Sequence, residues 1–370
     1  MNKWQIKDLK GVGDVELMLD SNQRVFTFLG TNGVGKTKTL EALSVLLLGL
    51  IFPNELYKNI DEYLENLTDN DILPFNNISF NDYYINLDLL TITDNFLSAN
   101  TFFNAFAFVT AKQRSSIAKQ NSIIPKDIQN SDYRKSERLF WLFDGALKSD
   151  LSNVDIGDTS HSWFLARARF INPYQIEKDN SQIAIESVLQ CLHKIDNAFD
   201  DKFLQINENN NVYLKVHGEV LELSELSSGF LSLVKIIQSI IASFSAFTNE
   251  KDLLNVKGVV LIDEIESHLH LEWQVKIIPI LKNLFPNTTF YITTHSPLVL
   301  SQLNEGEAYL LKRDDDNTVR SYLINSPNTR TLSNVLIDAF GINLNQLKID
   351  NISNIDQSKV KNKLLELLDK

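Results

Sequence analysis

Residues 30–37 read Gly30-Thr31-Asn32-Gly33-Val34-Gly35-Lys36-Thr37. They fit the pattern G-x-x-x-x-G-K-[ST], whose residue types act together on phosphate. Its glycines let successive backbone N–H groups turn inward around phosphate oxygens, and a helix starting directly after them adds partial positive charge. Lys36 would reach the β- and γ-phosphates of a nucleotide, and the Thr37 hydroxyl would hold Mg²⁺. Gly30, Asn32, Gly33, Val34 and Gly35 would line the phosphates, with Lys38 either touching the α-phosphate or solvated.

A second constellation follows far along the chain. Residues 258–264 read Gly-Val-Val-Leu-Ile-Asp263-Glu264, an apolar strand ending in two acids. In an open α/β sheet, the acid at such a strand's C-terminal end lies beside the phosphate loop. Asp263 would bind Mg²⁺, commonly through water. Glu264 would take the proton of an attacking water. A lone Asp-Glu pair is ordinarily a solvated strand end. Beside a phosphate loop that alternative becomes the minor one.

Both groups require strands that end at one edge. Residues 1–29 read as strands: Trp4 and Ile6 alternate with polar residues, as do Val15, Leu17 and Leu19, and 25–29 is a buried run. An apolar helix is predicted over about 36–48, strands over 83–92 and 103–110, and a polar, mostly helical stretch over 111–205. A hairpin turning at His217-Gly218, a helix over 226–247, a strand over 256–262, an amphipathic helix over 271–284 and a strand over 288–293 follow. A hairpin over 307–325 and two short helices complete the pattern. The fold class is α/β: a mostly parallel core sheet, antiparallel N-terminal strands and a largely helical insertion.

The chain has 370 residues, 35 Lys+Arg against 47 Asp+Glu, a net charge of -12 and 44% hydrophobic residues. That composition supports a packed core and excludes global disorder. A single cysteine, Cys191, excludes an internal disulfide and a Cys-based zinc site, and is in keeping with a reducing cytoplasm. The N-terminal residues lack the apolar run of a signal peptide. The longest apolar run, 42–53, is too short for a bilayer, which needs about 20 residues, so no membrane is expected. An acidic chain is not a general polyanion binder, so nucleic-acid contact would need a local basic patch.

Three further segments carry a resemblance. Leu226-Ser227-Ser228-Gly229 resembles the signature motif of ABC-type ATPases, and Thr294-His295-Ser296-Pro297 resembles their switch-histidine segment. The order of motifs is also theirs. The stretches LIDEIESHLHLEWQ, FPNTTFYITTHSPLVLSQL and LSSGFLSLVKI are similar to stand-alone bacterial AAA family ATPases of the RecF/SMC/OLD-like group. That group includes anti-phage ATPases of the Septu and retron-linked kind. The resemblance covers 1–50 and 220–300 and implies an ABC/SMC-type P-loop NTPase head using ATP and Mg²⁺.

By that resemblance, Ser227 and Gly229 would reach the γ-phosphate held by a second subunit, implying a head-to-tail homodimer or higher homo-oligomer with ATP in the interface. Taken alone, Ser-Ser-Gly is a helix cap. His295 would hydrogen-bond the γ-phosphate. Gln113, after the strand ending at Thr110, is the candidate for the glutamine that senses Mg²⁺ and the attacking water, its alternative being a polar loop residue. His268 and His270 suggest a metal site by spacing, whereas the family pattern makes them a turn near the dimer interface. Lys38 departs from the family, where transporters carry Ser or Thr and RecF-like proteins often Asn.

The resemblance divides the chain into a first part of the ATPase core (1–110), a mainly helical insertion (111–215), a second part of the core (216–325) and a C-terminal helical segment (326–370). Asp314-Asp315-Asp316-Asn317 is better explained as a hairpin turn than as a metal cluster, and no nuclease is expected within these residues. The basic run Lys112, Arg114, Lys119, Lys126, Arg134, Lys135, Arg138, Arg167 and Arg169 is expected to be a solvated helical face, with a DNA or effector contact as its alternative. The implied function is an ATP-hydrolysing switch controlling a separately encoded effector, such as a nuclease, in phage defence. The alternative is a RecF-like DNA-binding clamp in repair.

Overall fold

A computed structural model describes residues 1–65, 73–87, 91–92, 103–111, 114, 131–148, 150–151, 160–171, 174 and 182–353. Its main element is an 11-stranded sheet. Five parallel strands form its functional half, in the spatial order β13 (Ala308–Arg313), β3 (Val25–Leu29), β12 (Thr288–Thr293), β11 (Gly258–Ile262) and β7 (Ala105–Val109). The other half carries β14 (Val319–Leu323), β2 (Gly13–Leu19), β1 (Asn2–Leu9), β4 (Asn77–Phe80), β5 (Tyr83–Asn86) and β6 (Thr91–Ile92). Its pairings are antiparallel except for β14 on β2. The α/β class and the mixed sheet are those expected.

The continuous apolar runs have a direct physical cause. Every residue of β3, β7 and β11 is buried. Val25 and Leu29 join one core while Phe26 and Phe28 join the other, and Val260 and Ile262 divide in the same way from Val259 and Leu261. Side chains alternate faces along a strand, so a strand covered on both sides is apolar at every position. One face is covered by α1 (Lys36–Ile51) and α3 (Ser131–Leu147), with α2 (Pro53–Glu65) packed on both helices. The other carries α5 (Gln182–Ile195), α6 (Ser228–Phe247) and α8 (Ile277–Leu284), with α4 (Ser160–Arg169) packed on α5. Among the described residues α6 is the one helix long and apolar enough to cross a membrane, and 78% of that window is buried inside the protein. Burial on the sheet accounts for its composition.

Several elements differ from the sequence reading. The end of the stretch 111–205, expected to be mostly helical, instead forms β8 (Phe199–Ile206), which joins β9 (Val212–Val216) and β10 (Glu219–Glu222) in a separate three-stranded antiparallel sheet. The hairpin between β9 and β10 turns as expected at His217 and Gly218, both at positive φ. Within the predicted strand 83–92 the described residues form two strands paired antiparallel, with Ile85 opposite Ile92. The predicted helix 271–284 breaks into α7 (Leu271–Gln274) and α8. Pro279 supplies the reason: its ring and missing N–H disfavour continuity with the carbonyl of Val275. Short α9 (Pro297–Leu300), α10 (Leu332–Phe340) and α11 (Leu344–Ser353) complete the described chain.

Parallel pairing has one consequence for chemistry. Leu29, Val109, Ile262 and Thr293 all lie at the same edge, so the segments that follow them converge.

Candidate functional site

The loop 30–37 leaves β3 and enters α1 at Lys36. Gly35 caps the helix at φ 101°, a left-handed conformation, and a Cβ there would lie 2.6 Å from both γ-carbons of Val12. The backbone turn and the close approach of Val12 both require glycine. Lys36 is buried and folds back over the loop, its Nζ donating to the Gly30 carbonyl at 3.0 Å and the Thr31 carbonyl at 3.1 Å. Burial pulls its ammonium below the usual 10.5, against the opposing pull of Asp263, Glu264 and Glu266. The tip, Thr31 to Gly33, is exposed. Lys38 points away into an ion pair with the buried carboxylate of Glu41 at 2.8 Å.

Asp263 closes the site. The Thr37 hydroxyl lies 3.0 Å from each of its carboxylate oxygens, although 226 positions separate the two residues. Thr293, at the end of β12, donates from Oγ1 to Asp263 Oδ1 at 2.6 Å and accepts from the Glu264 N–H at 2.7 Å. Burial raises the Asp263 carboxyl above its ordinary 3.8, with the Thr293 and Thr37 hydroxyls pulling the other way. The donor set fits a hard divalent cation: a hydroxyl and a carboxylate brought together at the mouth of a phosphate-type loop.

Glu264 stands next, at φ 46°. Its carboxylate accepts from Ser267 Oγ at 2.9 Å. The Ser267 carbonyl in turn accepts from Ser232 Oγ on α6 at 3.1 Å. Thus the acidic turn is tied to the helix whose N-terminus carries Ser227 and Gly229. Ser227 caps that helix, accepting from the Phe230 N–H. A Cβ on Gly229 would lie 2.0 Å from the His270 ring, so the ring sits flush on the bare glycine. Ser227 and Ser228 are exposed.

His295 follows β12, where expected. Its backbone N–H donates to Glu266 Oε1 at 2.6 Å, while the Thr294 hydroxyl donates to Glu266 Oε2 at 2.7 Å. Glu266 thereby binds the histidine segment with both oxygens. Ser296 caps α9 and donates to Gln274 Oε1 at 2.7 Å.

Of the residues singled out from sequence, 30–37, Asp263, Glu264 and His295 come together at one sheet edge. Ser227 and Gly229 lie on α6 against Phe230 and His270. Gln113, with Lys112, Lys119 and Lys126, lies outside the described residues. His268 and His270 sit in the turn after Glu264, and no group of three or more His, Cys, Asp or Glu among the described residues is arranged for a metal ion. Asp314 and Asp316 lie at a hairpin turn and pair with Arg320 at 2.8 and 2.7 Å. A cavity of about 460 Å³ opens beside the loop tip, between 31–34, 310–313 and Ile337, Phe340 and Gly341; neither Asp263 nor Glu264 lines it.

The basic run is not one solvated face. Arg114 is 1% exposed, Arg138 7% and Arg167 9%. Arg138 and Arg167 donate to Ser243 and Ser245 of α6 at 2.9 and 3.2 Å. Their guanidinium groups are interior because serines embedded in an apolar helix supply acceptors. Sequence reasoning also missed Thr293 and Glu266. The signal was faint: polar residues interrupting apolar character at a strand end, and a third acid two positions after Glu264.

A family described as "AAA domain, putative AbiEii toxin, Type IV TA system" matches residues 25–301. The Septu protein PtuA of Bacillus thuringiensis is 26% identical over 91% of this chain and 84% of its own. A "Retron Ec83 probable ATPase" of Escherichia coli is 36% identical over 37% of this chain and 26% of its own. Among solved structures, the SMC head domain from Thermotoga maritima has a TM-score of 0.45 at 12% identity, over 87% of this chain and 98% of that one.

Proposed function

The chain belongs to this AAA-domain family, and from that premise we propose that it is an ATP-binding and ATP-hydrolysing switch in anti-phage defence. One observation carries the reading: the Thr37 hydroxyl and Asp263 carboxylate meet at 3.0 Å, with Lys36 and Glu264 the next residues on their respective segments. That arrangement joins a phosphate-binding loop to an acidic strand end, which is what phosphoryl transfer to water needs.

The residues divide the work as follows. Backbone N–H groups of 33–37 and the N-terminus of α1 hold the β- and γ-phosphates. Lys36, already desolvated, gives up its two carbonyl partners and turns its ammonium to the phosphate oxygens. Thr37 and Asp263 are the side chains that would hold Mg²⁺, which when bound neutralises charge on the β- and γ-phosphoryl oxygens. Glu264 orients a water and accepts its proton. His295, held through its backbone by Glu266, contributes a ring nitrogen to the γ-phosphate.

The N-terminus of α6 at Ser227–Gly229 is the proposed contact for ATP bound to a second copy, giving a head-to-tail dimer. The exposure of Ser227 and Ser228 supports this. The proposed output is control of a separately encoded effector, such as a nuclease; the likeness to the Septu protein PtuA and to the retron ATPases supports it. The alternative, a RecF-like DNA-binding clamp in repair, would need a basic surface, and Arg114, Arg138 and Arg167 of the basic run are interior.

The test is phosphate release by the purified chain with ATP and Mg²⁺, beside a Glu264→Gln variant and binding of a fluorescent ATP analogue. We expect the variant to lose about 100-fold or more in turnover while still binding nucleotide, as when a general base is removed. Wild-type turnover at background, or a variant as fast as wild type, would overturn the reading.

A further inference from the structure

The turn that carries Glu264 has an unusual backbone. The carbonyls of three consecutive residues, Asp263, Glu264 and Ile265, point to one spot, and Glu264 itself is left-handed at φ 46°. A non-glycine residue in that region is strained by about 1–2 kcal/mol. Convergent carbonyl dipoles also repel one another unless a cation or donor lies between them.

Arg114 occupies that spot. Its Nη2 donates to the Asp263 and Glu264 carbonyls, both at 2.6 Å, and its Nη1 to the Ile265 carbonyl at 3.0 Å. Its Nε donates to the Thr110 carbonyl at the end of β7, at 2.9 Å. The fit depends on a planar fork with donors in fixed directions, which lysine lacks. The side chain is 1% exposed, so water does not compete for these bonds. Arg114 is 150 positions from Glu264, and it fixes the strand end carrying the acids to the segment leaving β7.

We propose that Arg114 is a positioning residue for hydrolysis: by gathering three carbonyls it holds Glu264 in the left-handed conformation that directs its carboxylate. The proposal rests on the role given to Glu264 above. It also makes the aim of Glu264 depend on Arg114, whose hydrogen bonds reach none of the phosphate loop.

Amide hydrogen exchange of the nucleotide-free protein tests the clamp directly, comparing wild type with Arg114→Lys and Arg114→Gln. Amides of residues 264–267 should exchange about 10-fold faster or more in both variants, while those of β3 and α1 stay within about 2-fold, since local opening is set by local bonds. Turnover should fall about 30- to 100-fold, the scale of a misplaced catalytic group, with the affinity for a fluorescent ATP analogue within about 3-fold. Arg114→Lys should recover part of the turnover lost in Arg114→Gln, because its ammonium can still meet some of the carbonyls.

Unchanged exchange at 264–267 would overturn the proposal. So would exchange accelerated throughout the sheet, turnover and affinity falling together, or failure of both variants to fold, since these mark a purely structural arginine. If the wild-type chain hydrolyses no ATP, the role of Glu264 fails, while the exchange data still decide whether Arg114 holds the turn.

Discussion

Replacing Thr293 by valine preserves the shape of the side chain and removes one hydroxyl. That hydroxyl is fully buried, donates to Asp263 Oδ1 at 2.6 Å and accepts from the Glu264 N–H at 2.7 Å. Its loss strands a half-buried N–H, at up to about 1–3 kcal/mol, and removes a bond to a carboxylate, at about 1.5–3 kcal/mol. The two do not simply add. Asp263 keeps the Thr37 hydroxyl as a donor, which offsets part of the loss. A net loss of about 2–4 kcal/mol follows, a large part of the roughly 5–15 kcal/mol that holds a typical domain folded. Thr293→Ser is the control: it keeps the hydroxyl and gives up one methyl, at about 1 kcal/mol. Urea unfolding of the three proteins at pH 7.5 measures the difference. If valine proves no more destabilising than serine, the hydroxyl does not hold the two acids together and the reasoning is wrong.

Glu266→Gln should slow turnover by about 10-fold with nucleotide affinity little changed, because the amide keeps one neutral oxygen to accept from the His295 N–H and puts an NH2, which donates, where Glu266 accepts from the Thr294 hydroxyl; single-turnover assays beside a binding titration check this, and equal losses in both would show that Glu266 serves binding instead. His161 is 3% exposed, with Glu222 3.7 Å away, and burial lowers its imidazole below the ordinary 6.5 against the pull of Glu222, Lys235 adding to the lowering. Above pH 6.5 both folded and unfolded states hold it neutral; as pH falls from there the unfolded chain takes the proton first, so stability declines until the lower folded value is passed. Melting temperatures between pH 7.5 and 5 should therefore fall more steeply for wild type than for His161→Gln, and parallel curves would remove His161 as the cause.

The tie between the acidic turn and α6 gives the site a mechanical character. Glu264 is bonded to Ser267, whose carbonyl is bonded to Ser232, one turn along the helix from Gly229. The His270 ring lies against Gly229. Hence the acid and the exposed N-terminus of α6 form one connected unit. Two hydrogen bonds and one ring contact make that connection.

The sequence by itself determined the local parts of this protein. The loop 30–37 lies between a buried strand and an apolar helix within a span of about 25 residues, and such neighbours announce themselves through period and glycine placement. Asp263 and Glu264 were legible because an apolar run ends in acids, and His217-Gly218 because turn chemistry is carried by adjacent residues. What only the tertiary structure decided is which distant groups meet. The order β3, β12, β11, β7 brings Thr37 to Asp263 across 226 positions. Local sequence points the wrong way for the arginines: Arg114, in the polar stretch 111–116, is enclosed by four carbonyls, whereas Arg169, among the apolar residues of 163–171, is exposed. Nor does anything local name the partners of Thr293 and Glu266. A polar side chain's character in sequence is the same whether water or a buried backbone will satisfy it. The partner is chosen by the packing of strands far apart in the chain, and that choice is where the candidate site acquires its geometry.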